Sequence, residues 1–533
     1  MTATTRRAVL RGAGALGAAS LSLAPGLSWS FERDGNRKVL VFAGNQAVPV
    51  LDPHVRYDWS TRMIQQSVYD GLLKYVDNPP RIIPWLAERW EESPDGLTYT
   101  FHLVRNARFH NGDALDAEAV RFSFERGLKL NAGIAWMLKD FLKPENIAAV
   151  DAHTVRFTLD RPFAPFISYV PWWYIVSPKQ VKANEVDGDL GRKWLTENAA
   201  GSGPFRLRRF DGNALIHMET VQDYWKGWPM GEANRLSGII YRLVREGAPR
   251  RAALQRREID VGTNFSPDDM GQLARLPGIR NEDHPGFTTF GIKFNCQQGP
   301  TADINLRKAI AHAFDYEALI TIHNGGARLM DSPFPPGMLG HISVPDIPRK
   351  DLEKARDFLS RSRFPNGDIE LEYVHVQGLE DPRRIGLTLL DSLRPLNIRL
   401  NIVGQPWTTM VARGSKPDTA PNMTSVYVTP VGTDPDTVAY QYHRDSWGLY
   451  YGMSHYENPE VWKMIAEARG MVDRDRRMAI YAEVQRRIVA DQPELFGMIA
   501  NRTWAMRDYV KGFAFSPVRF TGEVDLYPLW IEG

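Results

Sequence analysis

The stretch Pro84-Trp85-Leu86-Ala87-Glu88-Arg89-Trp90, followed by Ser93-Pro94-Asp95-Gly96-Leu97-Thr98-Tyr99-Thr100-Phe101, sets the texture of the region around it. Ser93-Pro94-Asp95-Gly96 is a turn by its chemistry: proline presets φ and glycine supplies the left-handed position. Leu97 to Leu103 then alternates as a strand. Asn111-Gly112-Asp113 is a second turn, and Asp116 caps a helix carrying Val120 and Phe124 one turn apart. From Arg81 to Val176 the strands are short and the turns frequent, the pattern of an α+β subdomain.

Outward from this stretch, strand and helix patterns alternate, the mark of α/β architecture. Ser237 to Val244 and Thr288 to Phe294 are rich in β-branched and aromatic residues and read as strands. Asp303 precedes an apolar stripe of Ile304, Ala309, Ile310, Ala313 and Phe314, a helix with its N-cap in place. Ile369–Val376 is a strand, Arg383–Leu393 a helix stopped by Pro395, and Ile398–Val403 the strand that completes the unit. Asn458-Pro459-Glu460 caps a helix carrying Val461, Ile465 and Ala468. A further helix from Asp473 to Ala490 keeps Met478, Tyr481, Val484 and Ile488 on one face.

The first thirty residues differ from all of this. Arg6-Arg7, Arg11, an apolar stretch from Gly12 to Leu27 and Ser28-Trp29-Ser30 form the layout of a secretory signal. The paired arginines make it a twin-arginine-type signal over residues 1–30. Gly12-Ala13-Gly14-Ala15-Leu16-Gly17 matches a dinucleotide fingerprint, but no strand precedes it and a cleavage site follows, so the signal reading stands. No cysteine follows the segment, which points to a product without a lipid anchor, exported to the periplasm. The chain's 65 Lys+Arg and 63 Asp+Glu give +2, and without Arg6, Arg7 and Arg11 the balance is −1. That near-neutrality gives no electrostatic reason to expect nucleic acid as a partner. No later run of 18 apolar residues predicts a transmembrane helix. The one cysteine, Cys296, makes neither an internal disulfide nor a cysteine-based metal site.

The Pro84–Phe101 stretch, continued by Phe109-His110-Asn111-Gly112 and Phe122-Ser123-Phe124-Glu125-Arg126, resembles the peptide/nickel class, family 5, of extracytoplasmic solute-binding proteins. Leu51-Asp52-Pro53-His54, Val68-Tyr69-Asp70-Gly71-Leu72-Leu73, Gly201-Ser202-Gly203-Pro204-Phe205, Asp223-Tyr224-Trp225, Ile259-Asp260, Phe294-Asn295, Leu306-Arg307-Lys308-Ala309-Ile310 and Asp434-Pro435-Asp436 follow in the family's order. The resemblance implies an α/β, periplasmic-binding-protein-like fold of type II: two lobes, a hinge and an inserted α+β subdomain. Lobe I would comprise residues 31–55, 195–278 and 494–533, the insertion 56–194, and lobe II 279–493, with chain crossings near Gly278 and Pro493. It also implies a monomeric receptor that closes on a small organic solute and serves the permease subunits of an ABC importer in the inner membrane.

Aromatic-dense segments fall where the family's cleft lies. Tyr57 and Trp59 follow the first strand; Trp407, Tyr427, Tyr440, His443 and Trp447 come later, with Asp434 and Asp436 among them. Such rings bind sugar faces or apolar groups and offer polar edges as well. They predict a neutral or anionic solute stacking on Trp407 or Trp447. The alternatives for Asp434 and Asp436 are ligand contact or turn capping. Peptide-binding members hold the ligand's amino terminus with an Asp at the position that Val431 occupies here. Valine offers an ammonium no partner, which favours an oligosaccharide or opine-like compound over a short peptide. The twelve histidines are scattered without metal-ligand spacing, so no metal and no cofactor are expected. The sequence holds no G-x-S-x-G elbow, P-loop or H-E-x-x-H, and no enzyme activity is expected.

Overall fold

The computed structural model describes residues 38–56, 58–520 and 522–532. The signal segment and Tyr57 lie outside the described residues, as does the side chain of Trp59. Helix starts are set by local capping. Asp116 accepts from the N–H of Ala119, Asp303 from Asn305 and Leu306, Asn458 from Glu460 and Val461, and Asp473 from Arg476. Each such cap stabilises its helix by about 1 kcal/mol. The helices they open are Ala117–Leu130, Ile304–Ala313, Pro459–Arg469 and Arg474–Asp491.

One mixed sheet of 11 strands organises the molecule. From one edge its strands are Ile398–Gln405, Ile369–Val376, Met423–Val428, Ile279–Phe294, Glu494–Arg507, Val261–Thr263, Val39–Gly44, Gly238–Leu243, Leu215–Thr220 and Phe205–Asp211, with Ala327–Leu329 paired to Glu494–Arg507. The two long strands lie antiparallel at its centre, Ile279 opposite Arg507 and Lys293 opposite Glu494. Sequence patterning predicts a strand only from Thr288, because Pro285 and Gly286 read as punctuation. The ladder to Glu494–Arg507 extends it back to Ile279, a tertiary override of local propensity.

The fold is two-lobed. In the first lobe Leu40, Phe42, Ile239 and Val261 pack with Met63, Ile64 and Trp504. In the second, Phe290, Ile292, Ile310, Leu371, Ile385 and Leu389 form the core. A separate antiparallel sheet of Ala87–Glu92, Thr98–Leu103, Thr154–Thr158 and Ile147–Asp151 carries the helix Ala117–Leu130. Its apolar interior runs without a break into the second lobe, where Phe166 and Tyr169 share a cluster with Val461, Ile465 and Tyr481.

Two buried polar nodes tie this sheet's region to the first lobe. Asp70 accepts from Trp85 Nε1 (2.8 Å), the Tyr224 hydroxyl (2.8 Å), the Ser202 hydroxyl (2.9 Å) and Trp225 Nε1 (3.0 Å). Arg126 holds both carboxylate oxygens of Asp52, at 2.9 and 2.6 Å, and lies 2.9 Å from His54 Nδ1. With Nδ1 facing a guanidinium, the His54 proton belongs on Nε2, which meets the Tyr174 carbonyl at 2.9 Å. Burial and then Arg126 push the His54 pKa down to about 4.

His54 is therefore neutral in the folded protein at pH values where the unfolded chain binds a proton. That stability is fully present above about pH 6.5 and lost as pH falls toward 4, by roughly 3 kcal/mol. Urea unfolding at pH 7 and pH 4.5 should show a smaller difference for His54→Gln than for the wild type. Equal differences would remove His54 from the acid response.

Candidate functional site

The ladder between the two central strands is irregular between Pro285 and Thr289, where the sheet passes from one lobe to the other. Around this point a narrow pocket of about 30 Å³ opens, lined by Trp136, Tyr169, Val431, Tyr440, Tyr450 and Phe520, among others. Tyr440 reaches it because strand Met423–Val428 ends in Thr429-Pro430-Val431-Gly432 and the chain then turns into the short helix Asp436–Ala439. Trp136 comes from the other side and stacks on Tyr440, ring centroids 6.3 Å apart and 13° from parallel. The Trp172 indole donates to the Val431 carbonyl, and Tyr169 donates to Asp436 at 3.4 Å. Thr429 lines the same pocket, and its hydroxyl lies 2.9 Å from that of Thr288.

A second narrow pocket, also of about 30 Å³, adjoins Trp172 and includes Lys74, Tyr75 and Arg519 in its lining. The Arg62 guanidinium sits over the Trp172 ring at 3.7 Å and over Phe520 at 4.2 Å, so it lies between the two pockets. Phe520 is held by its backbone N–H donating to Glu523 at 3.0 Å, and Glu523 in turn pairs with Arg62 at 3.4 Å.

The residues expected from sequence are distributed unevenly about this site. Tyr440 lines the pocket. Val431 does too. Trp407 is 44% exposed and sits one ring behind the wall, edge-on to Tyr450 at 5.4 Å. His443 stacks on Tyr440 at 6.0 Å, and Trp447 packs on His455 and Trp462. Tyr427 points away from the pocket because strand alternation sends Val428 there and turns Tyr427 onto Phe290, 4.9 Å off, in the second lobe's core. Asp434 and Asp436 are buried in ion pairs. Arg477 grips both oxygens of Asp434 at 2.6 and 2.7 Å, and Arg469 meets Asp436 at 3.1 Å. Asp434 also caps the turn, accepting from the Asp436 N–H at 2.9 Å. Burial pushes the Asp436 carboxyl above the usual range, against the pull of Arg469.

Sequence reasoning missed Trp136, Tyr169, Trp172, Tyr450 and Phe520. The run Tyr169-Val170-Pro171-Trp172-Trp173-Tyr174 was the signal available for two of them, being the densest aromatic segment of the inserted region. Among the described residues no three His, Cys, Asp or Glu side chains gather as a metal site, and no helix is long and apolar enough to cross a membrane.

Residues 81–448 match the family model for bacterial extracellular solute-binding proteins, family 5, and the chain belongs to that family. It is 28% identical over 490 residues to the probable D,D-dipeptide-binding periplasmic protein of Escherichia coli K12, covering 90% of this chain and 92% of that one. A periplasmic binding protein from Helicobacter pylori, solved with the peptide STSA, superposes with a TM-score of 0.80 at 25% identity, covering 93% of this chain and 98% of the other. An agropinic acid complex from Agrobacterium tumefaciens R10 superposes with a TM-score of 0.79 at 24% identity, over 93% and 99% of the two chains, and shows the fold alone.

Because Asp434 is the carboxylate that faces Arg477, Asp434→Asn should leave a buried guanidinium poorly compensated and cost about 3 kcal/mol of stability in urea unfolding. A loss under about 1 kcal/mol would return Asp434 to the role of a simple turn cap.

Proposed function

We propose that this family 5 solute-binding protein is the receptor subunit of an ABC importer in the periplasm. It captures a small organic solute between its lobes and presents the closed form to membrane permease subunits. The observation that carries this reading is the aromatic pocket at the crossing of the central strands, walled by Trp136, Tyr169 and Val428–Tyr451 on the side of the second lobe and closed by Phe520 from the chain's last segment. A solute there touches both lobes at once, so binding favours the closed arrangement by whatever contacts exist only when it is closed. No catalysis is part of this reading.

The hinge in this reading is the irregular stretch Pro285–Thr289 with its partner residues Ile499 and Asn501. Gly278 and Pro493 do not stand side by side. Gly278 lies next to Asp508, and Pro493 next to Phe294, at opposite ends of the strand pair. A rotation axis needs two adjacent crossings, and the middle of the ladder supplies them.

The solute classes in view are those of the relatives and of Val431. A D,D-dipeptide and the peptide STSA belong to proteins similar to this one, and agropinic acid to another of the same fold. Val431 offers no carboxylate to a free ammonium, which favours an opine-like or saccharide solute over an ordinary peptide. Stacking falls to Trp136 and Tyr440, with Trp407 supporting the wall from behind through Tyr450.

Native mass spectrometry of protein purified from the periplasm should show a retained small molecule. Adding that molecule back to stripped protein should lower the radius of gyration in solution scattering. A radius that does not change on saturation would sink the closure reading. Trp136→Ala and Tyr440→Ala should each weaken binding by about tenfold, and Trp407→Ala by less than about threefold. The reverse order, read by titration calorimetry, would move the stacking site to Trp407.

A further inference from the structure

Arg502 lies in the central strand Glu494–Arg507, opposite His284 and beside the irregular stretch Pro285–Thr289. Its side chain is wholly buried. Gly286 makes room for it, since a Cβ there would stand 2.6 Å from Arg502 Nε. Its Nη2 donates to the Thr288 hydroxyl at 2.6 Å. Nε and Nη1 find no hydrogen-bond acceptor, and no carboxylate comes within ion-pair distance, among the described residues.

The surroundings do not compensate this charge. The buried cluster contains the cations Arg62, Lys74, Arg502 and Arg519, and its two carboxylates are already engaged. Glu523 pairs with Arg62, while Asp525 pairs with Lys74 at 2.8 Å and Arg519 at 3.1 Å. Asp70, the next acid, is saturated by four neutral donors. Burial pushes Arg502 down to about 9, Glu523 pulling the other way and Arg62 adding to the fall. A buried cation left without an anion is strongly unfavourable, so its retention calls for a partner.

The route from this charge to the pocket is a chain of hydroxyls. The Thr288 oxygen accepts from Arg502 and can pass its own hydrogen to Thr429, 2.9 Å away, which frees the Thr429 hydroxyl to donate at the pocket wall.

We infer that the cleft is built for an oxyanionic solute, a carboxylate first of all, received at Thr429 and neutralising the Arg502 charge through Thr288. This rests on the receptor reading above and adds the sign of the ligand to it. Arg502 acts as a positioning and charge-setting residue, and Thr429 makes the contact. Because the relay sits at the crossing between lobes, the solute's charge also favours the closed arrangement there.

Two matched probe pairs test it by calorimetry: Met-Leu with Met-Leu amide, and mannopinic acid with its amide. At least one acid should bind tenfold or more tighter than its amide, and Arg502→Met and Thr429→Val should each remove most of that preference, with Arg502→Lys retaining part. Binding without an acid preference, or a preference that survives both substitutions, overturns the inference while leaving the receptor reading intact. Melting of the solute-free protein decides independently, including where none of the four probes binds. Arg502→Met should melt no lower than the wild type, since it relieves an uncompensated charge. A fall of more than about 5 °C, or failure to fold while Arg502→Lys folds, makes Arg502 a structural residue and overturns the inference.

Discussion

The antiparallel ladder between Ile279–Phe294 and Glu494–Arg507 is the constraint on which the rest depends. At one end it gives the first lobe's strands their partner, Val261–Thr263. At the other it gives the second lobe's strands theirs, Met423–Val428. Backbone hydrogen bonds run through it almost without interruption, so the lobes cannot slide along each other without breaking buried pairs. The interruption at Pro285–Thr289 is where bending costs least, and the pocket lies over that point. The position of the pocket and the place where the sheet bends most easily thus follow from one pair of strands.

Around this ladder the protein keeps several charged groups buried as matched ion pairs. Asp52 with Arg126 and Asp434 with Arg477 each bind a loop to a helix, and Asp436 with Arg469 binds two helices together. Such pairs add little net stability over apolar packing, yet losing one partner is severe. Their effect is to admit one arrangement of the loops that carry Trp172, Val431 and Tyr440. The cluster around Arg502 departs from this matching, and it does so beside the cleft.

Much of the architecture was legible in the sequence because it rests on local chemistry. Asp116, Asp303, Asn458 and Asp473 cap the helices that their spacing predicts, and Ile369–Val376, Glu380–Leu393 and Ile398–Gln405 form the expected strand–helix–strand unit. Tyr440 was legible as a pocket residue through its motif neighbours. Trp136 and Phe520 were not, because they converge from sites hundreds of residues apart and carry no local signature. Arg502 was hidden for a different reason. A lone arginine in a strand reads as a surface residue, and only its neighbours in space, Gly286 and Thr288, show that it is buried.

The strand Glu494–Arg507 follows every other strand of the sheet in the chain, yet it occupies the middle. During synthesis, Ile279–Phe294 and Val261–Thr263 therefore emerge with exposed edges and wait for more than two hundred residues to be made. Open edges of apolar strands invite pairing with other chains, and such non-local closure is slow. The nascent protein thus depends on being kept apart from its neighbours until its late strand arrives, and a truncation just before Glu494 would leave two half-sheets with no common spine.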